Sequence, residues 1–405
     1  MGSGGAPTGT GRSVDVCVVG GAGHVGLPLS ILLAAAGQRV LIYDVAEKVL
    51  ERLRRGEMPF VEYDADPLLR KFAGKTLTFT SDRAEVARAR MVIMAIGTPV
   101  DEFLNPNLRA LLDLFASLQP FLRPEQTIII RSTVYPGTCR RVQAALARDG
   151  REWHLAYCPE RIAQGYAVRE LKELPQLVSG LTGRAAGDAA ALFGRIAPKI
   201  IRVSVEEAEL AKLFSNAWRY IQFAATNQFY MMATDFGADY DQVRRAMVEG
   251  YGRASSLPAA GFAAGPCLLK DTMQLAAFNL NHFALGQAAM NINEGLPNYL
   301  VMRLARRRDL SRTRVGILGM AFKGDIDDTR DSLSYKLGKI LRFHGAEVLY
   351  SDEYAVDPTF ISKEDLVARS EVVIVGAPHS AYRSLRVPPS VERVDLWGIL
   401  PPAES

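Results

Sequence analysis

Short apolar runs closed by glycine or polar residues recur through the first half of the chain, and a dense helical spacing of apolar positions replaces them in the middle. Val14 to Val19 is a strand-type run that opens directly onto Gly20-Gly21-Ala22-Gly23-His24-Val25-Gly26. Leu27 to Ala36 then has the make-up of a helix, and Gln38 to Tyr43 reads as the next strand, ending at Asp44. This order predicts a βαβ unit with a glycine turn at its first strand–helix junction. Further strand-type runs at Met91 to Ile96, Thr127 to Ile130 and His154 to Tyr157, separated by helical stretches, predict a parallel sheet with helices on both faces.

From about Val205 to Tyr299 the β-branched runs vanish. Glu206 to Thr234 predicts one long helix, apolar around more of its circumference than one core-facing stripe needs (Leu210, Leu213, Phe214, Trp218, Ile221, Phe223 and Phe229). Such a helix is expected between domains or subunits. Gly250 to Gly265 predicts a flexible loop rich in Gly, Ala and Ser that leads to Cys267, with helix resuming from Gln274 to Glu294. Arg303 to Arg314 predicts a solvated basic hinge. Beyond it, a strand at Val315 to Leu318, a helix at Ser332 to Phe343, and strands at Glu347 to Tyr350 and Val372 to Val375 form a second α/β unit. The expected class is therefore α/β: two Rossmann-like doubly wound domains, over 13–204 and 301–405, joined by a central helical domain over 205–300. Residues 1–12, rich in Gly, Ser and Thr with no apolar period, are expected to be a disordered leader.

Length and charge narrow the partners. At 405 residues the chain exceeds one ordinary core, which suits this division. The net charge of +4, with no basic block interleaved with aromatics, argues against nucleic acid. No apolar run is long enough to span a bilayer, and no signal peptide is evident, so no membrane partner is expected. Cys17, Cys139, Cys158 and Cys267 have neither metal-type spacing nor the density of a disulfide framework. A reducing, cytoplasmic setting and no metal are expected.

The glycine turn carries the first candidate chemistry. Gly21 is expected to permit the tight turn, Gly23 to let backbone N–H groups approach a pyrophosphate, and Gly26 to let helix and strand pack closely. His24 within it reads as a spacer. Asp44 lies 23 residues beyond Gly21 at the end of the next strand, where it can accept from both ribose hydroxyls and repel a 2′-phosphate. NAD is thus favoured over NADP. Thr98, Thr133 and Glu160 each follow a strand, at the sheet edge where ligands sit. Thr133 is expected to bind cofactor or an ordered water, and Glu160 to activate water.

Cys267 is the candidate nucleophile. It follows a loop, Lys270 is close enough to favour a thiolate, and Asp271 adjoins as a base or water-orienting group. Cys17, Cys139 and Cys158 are expected to be structural. Lys212 and Asn216, four residues apart on one helix, share a face and can converge on an oxyanion. Asp325, Asp327 and Asp328 read as a solvated acidic loop in preference to a cation site.

Taken in order, Gly21–Gly26 with Asp44, Gly97-Thr98-Pro99, Ser132-Thr133-Val134, Pro159-Glu160, Lys212 with Asn216, Cys267 with Lys270-Asp271, and Phe322-Lys323 before Asp328-Thr329-Arg330 resemble the UDP-glucose/GDP-mannose dehydrogenase family, over nearly everything from Val14 to Trp397. The resemblance implies an NAD-binding first domain, a central helical domain that forms a homodimer, and a C-terminal domain that binds a nucleotide sugar. It implies a double oxidation of a sugar C6 alcohol to the uronic acid with two NAD, through a Cys267 thiohemiacetal and thioester. Lys212, Asn216 and an Asp271-held water would manage the first proton loss, and Glu160 would assist thioester hydrolysis. Gly21, Gly23, His24, Val25, Gly26, Asp44, Thr98, Thr133, Lys270 and Arg330 would contact the cofactor. Glu160, Arg161, Lys212, Asn216, Lys323, and Arg253 from a neighbouring subunit, would contact the substrate. Arg161-Ile162-Ala163-Gln164 departs from the usual UDP-glucose pattern toward the branch that oxidises UDP-N-acetylhexosamines, and Ala264 stands where a glycine normally packs against the sugar. Three other readings keep part of the pattern: a β-hydroxyacid dehydrogenase, which needs no Cys267, a single oxidation of an unusual nucleotide substrate, and a non-catalytic nucleotide-sugar-binding protein.

Overall fold

Apolar runs without polar interruption belong in a sheet covered on both faces, and the runs at Val40–Tyr43, Thr127–Ile130, His154–Tyr157 and Val372–Val375 are buried in that way. The computed structural model describes residues 14–97 and 108–402, so Thr98 and the expected leader lie outside the described residues. The described residues divide into two compact units, one holding those up to 212 and the other those from 213 onward.

In the first unit, β1 (Val14–Val19), β2 (Val40–Tyr43), β3 (Leu77–Thr80), β4 (Ala89–Met94), β5 (Thr127–Ile130), β6 (His154–Tyr157), β7 (Gln176–Gly180) and β8 (Ile200–Arg202) form one sheet in the order β3-β2-β1-β4-β5-β6-β7-β8. All neighbours are parallel except β6 and β7. Successive β1 residues alternate between two cores. Val16 and Val18 face α1 (Gly26–Ala35), α2 (Glu47–Arg54), α3 (Ala65–Phe72), α6 (Ala167–Glu173) and α7 (Gly183–Phe193). Cys17 and Val19 face α4 (Leu108–Leu118) and α5 (Thr138–Leu146). Because β1 pairs with both β2 and β4, chain order reverses there, and the ligand crevice of such a sheet opens at the carboxyl ends of these strands.

The long helix α8 (Val205–Phe236) is continuous, and the boundary between the units falls within it. Leu213, Ala217, Tyr220 and Ala224 are buried, whereas Phe214, Trp218, Phe229, Met232 and Phe236 are exposed. The second unit continues with α9 (Tyr240–Val248), α10 (Leu268–Phe278), α11 (Ala284–Ala305), β9 (Arg314–Leu318), α12 (Leu333–Phe343), β10 (Glu347–Ser351), α13 (Lys363–Arg369), β11 (Val372–Val375) and β12 (Glu392–Val394). Its four strands are parallel in the order β10-β9-β11-β12. Leu296, Leu300 and Leu304 of α11 share a core with Leu333, Leu337 and Leu341 of α12.

Three expectations need correction. The helix expected from Gln274 to Glu294 is two helices: α10 begins at Leu268, and left-handed Leu280 and Asn281 separate it from α11. Asn281 N–H donates to Ala276 O at 2.7 Å, closing α10 in a left-handed turn that Asn tolerates. The basic hinge is pinned. Its start is the last turn of α11, Arg303 pairs with Asp235 at 3.2 Å, and Arg307 and Arg308 both pair with Glu392 at 2.7 Å. The loop before Cys267 is anchored as well, for Ala260, Phe262 and Ala263 are buried.

Candidate active site

At the end of β1 the turn residue is Gly20, with φ +73°, and not Gly21. Gly26 is demanded by packing: a Cβ there would lie 2.6 Å from Gly20 O and 2.7 Å from Gly21 Cα. At Gly23 nothing comes closer to such a Cβ than 3.7 Å, so there is side-chain room beside it, and its N–H donates to Gly20 O at 3.4 Å. Asp44 Oδ2 accepts from Ala22 N–H at 3.1 Å, which brings the acid at the tip of β2 onto the glycine turn. Val25 precedes the first residue of α1, and the His24 ring stacks near Phe60 with centroids 3.9 Å apart. This tight glycine turn at a helix start, with a carboxylate on it, fits a dinucleotide. Asp44→Ala is expected to weaken NADH binding by about tenfold or more, roughly 1.4 kcal/mol, in a fluorescence titration. Unchanged affinity would remove Asp44 from the cofactor site.

Along the same sheet edge, Ser132 Oγ donates to Ile96 O at 2.7 Å, tying the segment beyond β4 to the one that carries partly buried Thr133. Arg131, missed in the sequence, is fully buried below them. Its Nη1 donates to Cys158 O at 3.0 Å and to Gln176 Oε1 at 2.8 Å, and its guanidinium lies over Phe193. Gln176 Nε2 also donates to Pro159 O at 3.1 Å. Burial pulls the Arg131 pKa down, and the nearby Glu160 charge opposes that. This buried scaffold fixes the turn that presents Glu160 and Arg161. The Glu160 carboxylate accepts from Ile162 N–H, and the Arg161 guanidinium donates to Pro175 O. Glu209 on α8 is also buried, with its two oxygens accepting from Gly137 N–H at 2.6 Å and Cys139 N–H at 2.9 Å. It docks the first turns of α8 on α5, and buried Lys212 follows three residues later.

In the second unit Cys267 is the N-cap of α10 and is exposed, whereas Cys17, Cys139 and Cys158 are buried. Burial pushes the thiols of Cys17 and Cys158 up to about 12, and that of Cys139 is also raised, by burial and then by Glu209. One helical turn beyond Cys267, Asp271 is 1% exposed. Its Oδ2 accepts from Asn216 Nδ2 at 2.6 Å, while Oδ1 makes no hydrogen bond and lies 3.5 Å from Lys270 Nζ. Cys267, Lys270, Asp271 and Asn216 are thus one cluster. Gly265 explains how the preceding loop reaches it: at φ +94° its backbone lies on the Phe322 ring, where a Cβ would come within 2.6 Å, and its N–H donates to Asp331 O at 3.2 Å. Arg330 grips Asp328 with two nitrogens, and its pKa is raised first by that bond and, more distantly, by Cys267. Asp328 is therefore a buried ion-pair partner and not part of a solvated acidic loop. Lys323 is partly buried, Ala264 packs at the rim of the core, and Arg253 is exposed. Among the described residues no group of His, Cys, Asp or Glu is arranged to hold a metal, and no helix is long and apolar enough to cross a membrane.

Residues 14–196 match the NAD binding domain of the UDP-glucose/GDP-mannose dehydrogenase family, 206–295 its central domain and 316–397 its UDP binding domain. The chain belongs to that family. It is an NAD-dependent oxidoreductase acting on a nucleotide sugar. The family resemblance read from the sequence is borne out, including its lean toward the N-acetylhexosamine branch. The chain is 27% identical to the UDP-N-acetyl-D-mannosamine dehydrogenase of Pyrococcus horikoshii, with 90% of each chain covered. It is 28% identical to a UDP-glucose 6-dehydrogenase of Haloferax volcanii, over 83% of each. The Pyrococcus horikoshii UDP-D-ManNAc dehydrogenase structure superposes with a TM-score of 0.87 at 25% identity, covering 96% of both chains. A UDP-glucose dehydrogenase from Pyrobaculum islandicum superposes with a TM-score of 0.86 at 25% identity, covering 98% of this chain and 96% of that one.

Within this dehydrogenase, Asp352 at the end of β10 echoes Asp44 at the end of β2. Its carboxylate accepts from Met320 N–H at 2.6 Å, Ala321 N–H at 2.9 Å and His379 Nε2 at 3.0 Å. Burial pushes the Asp352 pKa up, but the His379 bond and charge and the Ala355 and Tyr354 N–H donors outweigh it, leaving it at about 2. A folded pKa below the unfolded value of about 3.9 gives stability that is present above pH 4 and lost as pH falls toward 2. Asp352→Asn is expected to cost on the order of 2 kcal/mol at neutral pH and to flatten the acid loss between about pH 4 and pH 2, read from denaturant melts. An unchanged acid limb would show that Asp352 does not set it.

Proposed function

We propose that this chain oxidises the C6 primary alcohol of a UDP-N-acetylhexosamine twice, to the uronic acid, with Cys267 as the covalent nucleophile. The observation that carries this reading is the cluster at the start of α10: an exposed thiol at a helix N-terminus and, one turn on, a buried carboxylate with one oxygen held by Asn216 and the other, without a hydrogen bond, 3.5 Å from Lys270 Nζ. The helix N-terminus and Lys270 favour the thiolate. The unbonded Asp271 oxygen suits a water that takes the alcohol proton, while Lys212 and Asn216 donate to the developing alkoxide.

Bound NAD supplies the hydride acceptor, one molecule for each oxidation. After the first, Cys267 Sγ adds to the aldehyde carbon and the oxygen takes up a proton, giving a thiohemiacetal. The second oxidation leaves a thioester. Water assisted by Glu160 breaks the C–S bond, releasing the carboxylate and the thiolate. Two NADH and one acid form per alcohol, and the adduct keeps a reactive aldehyde from escaping.

The cofactor is held by Gly21, Gly23, His24, Val25, Gly26, Asp44, Thr98, Thr133, Lys270 and Arg330, in a domain spanning 13–204 with contributions from beyond it. The sugar nucleotide is held by Glu160, Arg161, Lys212, Asn216, Lys323 and a neighbouring subunit's Arg253, and Thr133 supports the catalytic water. The N-acetylhexosamine is favoured by Arg161-Ile162-Ala163-Gln164 and by the several UDP-N-acetyl-D-mannosamine dehydrogenases among the relatives. A homodimer through the helical domain over 205–300 would cover the exposed Phe214, Trp218, Phe229, Met232 and Phe236 of α8. Trp218→Glu is expected to give monomers in sedimentation, and a wild-type chain of monomer mass at all concentrations would rule the dimer out. The protein is placed in the cytoplasm on its cysteine usage.

The deciding experiment counts NADH per substrate consumed across UDP-N-acetylmannosamine, UDP-N-acetylglucosamine, UDP-glucose and GDP-mannose. Two NADH with an N-acetylhexosamine nucleotide are expected. One NADH would stop the reaction at the aldehyde, and preference for UDP-glucose would overturn the choice of sugar.

A further inference from the structure

We propose that Glu62 is a positioning residue for the loop carrying Glu160 and Arg161, and that the 57–64 segment ties this substrate-side loop to the cofactor turn. The inference rests on the reading of Glu160 and Arg161 as substrate groups. Glu62 lies between α2 and α3, about a hundred residues from that loop in sequence, and is 4% exposed. Its carboxylate accepts from Gly165 N–H at 3.1 Å and from Val168 N–H at 3.2 Å. Tyr63 N–H donates to Gly165 O at 2.9 Å, and the Tyr63 and Tyr166 rings meet with centroids 5.1 Å apart. Gly165 is left-handed, at φ +84°, so the loop reverses at the residue that Glu62 and Tyr63 both grip.

The other end of the segment reaches the cofactor turn. Phe60, two residues before Glu62, faces the His24 ring at 3.9 Å between centroids, with the planes inclined by 33°. His24 sits in the glycine turn between Gly23, which has side-chain room around it, and Val25 at the start of α1. Any displacement of His24 on cofactor binding would press on Phe60, and Phe60 lies on the short segment that carries Glu62. Burying a carboxylate to hold two loop amides is costly, whereas apolar packing would anchor an ordinary loop more cheaply. The carboxylate does what apolar packing does not: it fixes the direction of individual N–H groups, and with them the path of the chain from Glu160 to Gly165. Coupling between two sites is reciprocal, so sugar nucleotide must alter cofactor affinity by the same factor.

The test is NADH affinity with and without saturating UDP-N-acetylmannosamine, in wild type, Glu62→Ala, Glu62→Gln and Phe60→Ala. Wild type is expected to show at least a fivefold ratio between the two affinities. Phe60→Ala and Glu62→Ala should bring the ratio within twofold of one while NADH affinity without the sugar changes less than threefold. Glu62→Ala should also raise KM for the sugar nucleotide about tenfold, with Glu62→Gln, which keeps one acceptor oxygen, between it and wild type. A wild-type ratio of one, or variants that keep the wild-type ratio and KM, would overturn the proposal. Should Glu62→Ala fail to fold, Phe60→Ala decides the ratio and Glu62→Gln the KM. Failure of the substrate reading registers separately, as a wild-type enzyme that binds NADH yet forms none from this sugar nucleotide in the presence of NAD.

Discussion

Cys267→Ala is expected to lower acid formation by about a thousandfold or more while NADH affinity stays within about twofold of wild type. The reason is that no other thiol can take over. Cys17, Cys139 and Cys158 are buried, with pKa values raised by that burial, whereas Cys267 is exposed at the start of α10. Without Sγ there is nothing to hold the aldehyde for a second oxidation. The measurement is uronic acid formed per NADH, with NADH binding followed in parallel. Wild-type acid yield from this variant would end the covalent mechanism, and loss of NADH binding would mean that Cys267 supports the fold or the cofactor.

Asp271→Asn should lower kcat by about a hundredfold to a thousandfold with little change in KM. The side chains are nearly the same size, and the substituted amide can still accept the Asn216 hydrogen bond, so α10 is expected to keep its place. What disappears is the negative charge on an oxygen that has no hydrogen bond and that lies 3.5 Å from Lys270 Nζ. A rise in KM without a fall in kcat would instead assign Asp271 to ground-state binding.

Much of this site could be read from local sequence. The glycine turn with Asp44, the strands at Thr127–Ile130, His154–Tyr157 and Val372–Val375, and the long α8 are each set by neighbours in the chain. Apolar periodicity could not resolve Gly20 from Gly21: only Gly20 has positive φ, while a Cβ at either would meet a residue distant in sequence, Ile96 or Ile42, at 2.9 Å. Nor could it mark the break between α10 and α11, where Leu280 adopts a conformation its side chain disfavours. Arg131, Glu62, Glu209 and Asp352 were missed for a shared reason. Each is a buried charge whose partners lie tens of residues away, so its role exists only once the fold has formed. The basic stretch near Arg303 misled in the opposite direction, since Asp235 and Glu392 pair with three of its arginines from distant positions.

The unequal burial of the four cysteines has a practical side. Toward a reagent dissolved in water the native chain is expected to react as a single-thiol protein, although it contains four cysteines. An alkylating fluorophore or spin label added to the native enzyme should attach once, at the start of α10, without mutating the other three. The same selectivity makes Cys267 the atom at which peroxide would first be recorded, as a sulfenic acid that a small thiol can reverse. Labelling stoichiometry would then double as a count of intact active sites.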